Sequence, residues 1–307
     1  MSVTPILVMS EFPDFNEPGF DIDHYNKRFH NSNVVIRASA RSVEYPLHWG
    51  PLSVKCSFNG EEHYTTRDSH YAVDDDHFLV FNSGKMYSSR IDSVTQVESL
   101  TLNIAPRFEQ TALRSFKASA TQQLDDPYDG KAKADDFRFT ERLHRHGSLV
   151  TPVVHKIARA SVGQLNPLFY ELMEHLLSLQ EGTRADVERI DKIKRSTRAE
   201  IYTRLQRAKD YMHSCYRDEL LLESIAKIAC MNSFYFLRQF RKAFGITPHQ
   251  FLIERRLQVA NRLLRTTGMS VTEICDDVGF DDLSSFGKLF RRRYGLSPTD
   301  LRMYVKS

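Results

Sequence analysis

Apolar positions between Leu222 and Leu301 follow one plan twice. Ile225, Ala226, Ala229, Met231, Phe236, Phe240, Phe244, Gly245 and Pro248 are answered by Ile274, Cys275, Val278, Phe280, Phe286, Phe290, Tyr294, Gly295 and Pro298. The offset is 49 up to Met231 and 50 beyond it, as one extra residue in a turn would produce. Each copy therefore reads as one supersecondary unit. In the second copy Ser270 and Glu273 stand three apart ahead of an apolar-periodic run, the spacing of a capping box that starts a helix. A break follows at Gly279-Phe280-Asp281-Asp282, where Gly permits a positive φ and either Asp can accept a backbone N–H to cap the next helix. Phe286 and Phe290, at i and i+4, face the core, and Gly295 with Pro298 stops the helix. The first copy repeats this through Cys230-Met231-Asn232, with Asn232 as N-cap. Two short helices around a tight turn, the second basic on its outer face, predict a helix-turn-helix.

A single pattern of this kind is often only a helical hairpin in a core. Two copies with matched basic second helices are much harder to explain that way. Charge supports the difference: residues 197–307 carry 19 Lys/Arg against 12 Asp/Glu, a net of +7, while residues 1–196 carry 23 against 27, a net of −4. The whole-chain +3 hides this asymmetry, which points to a polyanion partner for the last third.

The two units, the linking segment from Gln250 to Ala260 and the closing run from Phe290 to Pro298 closely resemble the DNA-binding domain of the AraC/XylS family of bacterial transcription regulators. The likeness covers roughly the last hundred residues. It implies two recognition helices entering successive major-groove segments, held apart by a linker helix from Pro248 to Arg265. Its 18 residues at about 1.5 Å rise span roughly 27 Å, compatible with reading heads about one duplex turn, ~34 Å, apart. Carried over by position, the resemblance puts Phe234, Leu237 and Arg238 at the groove in the first unit, and Leu283, Ser284, Gly287 and Lys288 in the second. Arg238 and Lys288 can donate to guanine N7 and O6, so they are the candidates for base-edge contacts. Arg241, Lys242, Arg291, Arg292 and Arg293 fall one or two turns later, where they touch backbone or close ion pairs within the domain. Leu237 and Gly287 stand where the family often has polar residues, which shifts readout toward DNA shape.

The first part of the chain is different material. From Val34 to Ile104 β-branched and aromatic residues are dense, with turn signals at Pro46, Gly50-Pro51, Asn59-Gly60, Asp74-Asp75-Asp76 and Asn82-Ser83-Gly84. Alternation in Val54, Cys56 and Phe58, and in Leu100, Leu102 and Ile104, predicts short antiparallel strands in a small sandwich or barrel. The resemblance implies a cupin-like barrel that senses an effector. His48, Trp49, Lys55, Lys85 and Tyr87 are the candidate effector residues, with barrel core or surface as their plain alternative. His48, His63, His70 and His77 are scattered singly, and the His144/His146 pair sits in a basic stretch expected to be a solvated turn, so no metal and no cofactor is expected.

Gln122–Asp136 reads as an exposed loop. Pro167 then opens an amphipathic helix to about 181, with Leu168, Leu172, Leu176 and Leu179 on one stripe, widened by Met173 and Leu177. The resemblance gives a helix at this place the role of a homodimer interface. Cys56, Cys215, Cys230 and Cys275 lack metal-type spacing and are expected reduced and buried. No run approaches the ~20 apolar residues of a membrane helix, and no export signal opens the chain, so a bacterial cytoplasmic protein is expected.

These readings converge on an α+β chain. A sensing and dimerisation domain spans 1–182, with its barrel at about 34–104; a linker spans 183–197; and a DNA-binding domain spans 198–307, with helix-turn-helix units at about 222–244 and 271–294. The expected function is a non-enzymatic, sequence-specific transcription regulator acting on double-stranded DNA under control of a small-molecule effector, with RNA polymerase as a further candidate partner. Two alternatives stay open: an N-terminal domain that binds a partner protein, and a cupin-type enzyme fused to a DNA-binding domain.

Overall fold

The computed structural model describes residues 4–11, 31–117, 138–147, 149–187 and 195–306. It divides into two compact units, Met1–Thr183 and Arg184–Ser307. The expected loop at Gln122–Asp136 lies outside the described residues, as does part of the expected linker at 183–197.

The first unit holds one mixed sheet. Its strands are β1 (Ile6–Met9), β2 (Asn33–Trp49), β3 (Leu52–Phe58), β4 (Glu62–Thr65), β5 (His70–Val73), β6 (His77–Phe81), β7 (Met86–Ile104) and β8 (Leu143–Arg145). They run in the order β1-β2-β7-β3-β6-β8, with β4 paired to β7 and β5. Only β1 and β2 pair in parallel. The long β7 serves partners in two stretches, residues 98–104 against β3 and 88–90 against β4. Among the described residues no pairing closes the sheet into a barrel. The turn signals fall between strands except at Pro46, which lies inside β2. There the register shifts between Tyr45 and His48, so the missing proline N–H falls at an irregularity and not in the regular ladder.

Alternation gives this sheet two unlike faces. Leu52, Val54 and Cys56 with Leu100, Leu102 and Ile104 face α1 (Pro106–Lys117), α2 (Val150–Arg159) and α3 (Val162–Val187), forming one apolar core. Helix α3 starts five residues before Pro167; the carbonyl left without its N–H partner is that of Gly163, in the exposed first turn. Leu165, Phe169, Leu172, Met173 and Leu176 are buried in this core, and Leu168, Leu177 and Leu179 pack at its margin. Of the two coverings open to the stripe, its own domain or a second chain, Leu172 and Leu176 have the first, which corrects the expectation that they form a dimer interface; Leu168 and Leu179 stay half-buried at the margin.

The second unit is helical: α4 (Arg195–Ser214), α5 (Leu222–Ile228), α6 (Ser233–Phe244), α7 (Pro248–Thr266), α8 (Val271–Asp277), α9 (Leu283–Tyr294) and α10 (Pro298–Lys306). Helices α5 and α6 share a core with α4, and α8 and α9 share one with α7. The two turns are built alike. Cys230 (φ 52°) and Gly279 (φ 84°), at equivalent positions, both take the left-handed conformation. The next helix is then capped by Asn232 or by Asp282. The extra residue of the second copy is therefore Asp281. Both second helices end at a left-handed glycine, Gly245 or Gly295. The anticipated Ser270/Glu273 capping box forms, and Thr247 with Gln250 makes another at the start of α7. Arginines of α7 act as struts: Arg255 Nε donates to the His213 carbonyl, and Arg256 donates to the carbonyls of Tyr216 and Asp218.

All four cysteines are free thiols; Cys56 and Cys275 are buried as expected and Cys215 half so, but Cys230 is exposed because the left-handed turn projects it outward. Among the described residues no helix is long and apolar enough to cross a membrane.

Removing glycine from one turn and introducing it into the other should have opposite signs. A Cβ on Gly279 would lie 2.7 Å from the Arg217 carbonyl oxygen at a φ that side chains avoid. Gly279→Ala is expected to cost about 2 kcal/mol or more, whereas Cys230→Gly relieves a strained conformation at an exposed site and should gain about 0.5 kcal/mol. Chemical denaturation of the full chain checks both; a loss for Cys230→Gly would contradict this account. Because Leu172 and Leu176 are core, replacing both with Asp should unfold the first unit, and circular dichroism showing an intact β-rich unit would contradict their placement.

Candidate nucleic-acid interface and effector site

The outer face of α6 is set by what the inner face buries. Phe236 and Phe240 are fully buried beneath it, and the Asn232 side chain accepts the Tyr235 N–H at 2.9 Å to start the helix. The residues left outward are Phe234, 89% exposed, then Leu237, Arg238, Arg241 and Lys242. The Arg238 guanidinium lies 5.5 Å from the centre of the Tyr235 ring, which gives it a preferred direction.

Helix α9 repeats the device. The Asp282 carboxylate accepts the N–H groups of Ser284 at 3.1 Å and Ser285 at 2.7 Å, and hydrogen bonding from Ser285 and Ser284 holds its pKa below the usual range. Phe286 and Phe290 are buried, while Leu283, Ser284, Lys288, Arg291, Arg292 and Arg293 are exposed. With the register offset of 50, Arg238 and Lys288 are equivalent, but Phe234 answers Ser284 and Leu237 answers Gly287. The two helices thus share their scaffold and cation and differ in their remaining outward chemistry. Among the described residues no ion pair engages Arg238, Arg241, Lys288 or Arg291 to Arg293. Of the two alternatives for the later arginines, ion pairs within the domain are therefore absent from the described residues.

In the first unit the structure brings together three of the five candidate effector residues. Lys55 is buried on the face of β3 away from the apolar core, its Nζ 5.1 Å from the Tyr87 ring centre and 3.4 Å from Thr101 Oγ1. The His48 ring meets Tyr87 edge-on at 4.5 Å, and its Nδ1 lies 2.8 Å from the Pro46 carbonyl oxygen. Burial, aided by the Lys55 charge, lowers the His48 pKa to about 4. Trp49 is half-buried at the end of β2, opposite Met86. Lys85 points elsewhere and pairs with Glu141 at 2.8 Å. Sequence reading missed Glu62, which is buried and accepts a hydrogen bond from Ser99 at 2.7 Å; a charged residue inside a four-residue strand was the available signal.

The solvated turn expected at His144 and His146 is corrected: Leu143–Arg145 is β8, paired with β6, and His144 is buried with its ring stacked 5.2 Å from Phe78. His63, His70 and His77 each sit by a different local group, respectively Glu61, Thr65 and Asp74.

Residues 225–304 match the family model described as a helix-turn-helix domain. A transcriptional activator, RhaS of Enterobacter, is 33% identical over 99 residues, covering 32% of this chain and 36% of its own length. The regulator MtrA of Neisseria gonorrhoeae is 36% identical over 85 residues, 28% of either chain. The chain spans about a third of the length of such curated relatives. The DNA-binding domain of AdpA, solved in complex with a target DNA, is 31% identical and covers 33% of this chain and 92% of that one, with a TM-score of 0.32. The duplicated helix pairs, each with a second helix started by a side-chain cap and stopped at a left-handed glycine, and the family match define the second unit as a double helix-turn-helix DNA-binding domain. Among such domains it is of the AraC/XylS type.

Burial, reinforced by the Arg142 charge, takes the His144 pKa from 6.5 to about 3. The unfolded chain takes up this proton near pH 6.5 and the folded unit does not, so stability is full above about pH 6.5 and falls as pH drops toward 3. One such group contributes a slope of up to about 1.4 kcal/mol per pH unit in that window. Urea unfolding of the full chain followed by Trp49 fluorescence should show this loss between about pH 6 and 4, and His144→Gln should reduce it, leaving the part due to His48 and His146, whose pKa values burial also lowers. An unchanged slope in the variant would assign the acid sensitivity elsewhere.

Proposed function

We propose that the chain is a sequence-specific DNA-binding transcription regulator whose first unit is a cupin-like, effector-sensing domain. The observation that carries this reading is the pair of equivalent helices, α6 and α9, each held by two buried phenylalanines and presenting a cation and first-turn side chains that nothing within the unit covers. A basic, exposed helix following a tight turn suits the major groove of a duplex, and two in tandem on one chain suit an extended site. Arg238 and Lys288 donate to guanine edges in this reading, while Arg241, Lys242, Arg291 and Arg292 hold phosphates. Phe234, Leu237 and Leu283 supply apolar contacts to thymine methyl groups, and Ser284 a hydrogen bond to a base or phosphate. DNA is the partner of the second unit; a small-molecule effector and RNA polymerase are the further partners a regulator of this kind requires, and its place of action is the bacterial cytoplasm.

Affinity for DNA should fall linearly on a log-log plot against salt, by roughly 0.9 per phosphate contact; a flat response of the full chain would overturn the reading. At the preferred site, Arg238→Ala and Lys288→Ala should each cost about 1–3 kcal/mol and relax base preference locally, whereas Arg292→Ala should weaken all sequences alike. Replacing thymine by deoxyuridine under α6 should weaken wild type more than Phe234→Ala, which keeps only the Leu237 contact, as gel-shift titrations would register; equal losses in both would remove Phe234 from the readout.

A further inference from the structure

The face of the sheet turned away from the apolar core carries an unusual row of polar side chains. Three register pairs lie side by side on β3 and β7: Ser53 with Asn103, Lys55 with Thr101, and Ser57 with Ser99. Ser53 and Ser57 are 0% exposed and Lys55 5%. Buried polar atoms in native proteins are almost always hydrogen-bonded, and leaving one unmade is costly. Yet among the described residues Ser53 Oγ, Ser57 Oγ and Asn103 Oδ1 have no partner.

Lys55 is as unusual. An ammonium carries three donors, and lysine is seldom buried unless paired. Among the described residues Lys55 has one long hydrogen bond, to Thr101 at 3.4 Å, and the faces of Tyr87 and Tyr64 at 5.1 and 5.8 Å. No carboxylate lies within salt-bridge distance of it. Glu62, the buried acid of this face, is engaged by Ser99; burial raises its pKa, and that hydrogen bond and the nearby Lys55 charge oppose the rise.

From these two independent features we infer that this face is a binding site for a small hydroxylated carboxylate, of the sugar-acid class. The ligand carboxylate takes the Lys55 ammonium. Ligand hydroxyls, which donate as well as accept, satisfy the Asn103 side-chain carbonyl oxygen and the Ser53 hydroxyl on one side of Lys55, or the Ser57 hydroxyl on the other. A carboxylate on a bare alkyl chain has no donors for that row, and a neutral sugar leaves the ammonium unpaired. At about 3.4 Å rise per residue the two serines lie roughly 7 Å to either side of Lys55, so a five- or six-carbon chain held there by its carboxylate reaches Ser53 and Asn103 on one side or Ser57 on the other. Tyr87 and Tyr64 form an aromatic wall suited to its C–H faces. The inference rests on the effector-sensing reading of the first unit and gives that effector a chemistry.

The test is thermal-shift and calorimetric titration of the full chain with D-gluconate and D-galacturonate, against D-glucose and octanoate. At least one sugar acid should raise Tm by several degrees at millimolar concentration, with glucose and octanoate weaker by tenfold or more. Lys55→Met should lose at least tenfold in sugar-acid affinity while its unliganded Tm stays equal or rises, since an unpaired buried charge is removed; a merely structural lysine would lower it. If Lys55→Met fails to fold, Ser53→Ala/Ser57→Ala, which deletes only two oxygens, should show a fivefold or greater loss. Equal binding of glucose, full retention by the variants, or no binding by either sugar acid would overturn the inference. Salt-dependent DNA retention by the same preparations is unaffected by these outcomes, so its failure would instead count against the regulator reading.

Discussion

Burial of two phenylalanines one turn apart decides which way each reading helix faces. Phe236 and Phe240 in α6, and Phe286 and Phe290 in α9, are fully covered. Each contributes on the order of 1.5–3 kcal/mol by leaving water, so rotating either helix by even one position would forfeit several kcal/mol. The side chains between those anchors are therefore forced outward whatever their chemistry. Hydrogen bonding enforces the same register: the cap at Asn232 or Asp282 fixes where the helix starts, and the left-handed glycine fixes where it stops. The struts Arg255 and Arg256 extend this order to the chain entering the α5/α6 pair, tying the 213–218 segment to α7.

Where a local rule determined the structure, the chain was readable. Capping, left-handed turn residues and the i, i+4 phenylalanines depend on neighbours a few residues away, so duplication, element order and the outward set of α6 and α9 were legible. The Leu stripe of α3 marks the boundary of that method. Periodicity establishes that one side of a helix is apolar but carries no information about what covers it; here the sheet does, and it recruits Leu165 and Phe169, which lie before and beside the stripe read from Pro167. His144 failed for a related reason. A His-x-His in a basic stretch looks solvated until β8 pairs with β6, a contact between residues more than sixty apart.

The sheet shows how much a period of two leaves undecided. Val54 and Cys56 alternate with Ser53, Lys55 and Ser57, and the ordinary inference is apolar inside, polar outside. Both sets are buried. One face meets helices, and the other gathers the aromatic cluster of Tyr64, Tyr71, Phe81 and Tyr87 beside the serine row. The strand is covered on both faces. That second covering turns an unremarkable lysine into a buried cation.

Duplication also explains how the two heads can differ. Because the register of each recognition helix is secured by inward phenylalanines, caps and terminal glycines, none of the outward residues is needed for folding. Substitution at Phe234 or Ser284, and at Leu237 or Gly287, is then free of the stability cost that core changes incur. Arg238 and Lys288 place a cation at the same position of both heads, while Phe234 and Leu237 of the first stand where the second has Ser284 and Gly287. An 89% exposed phenylalanine buries little of its ring within its own unit, so Phe234 leaves a large apolar face open to a surface that the unit does not itself contain.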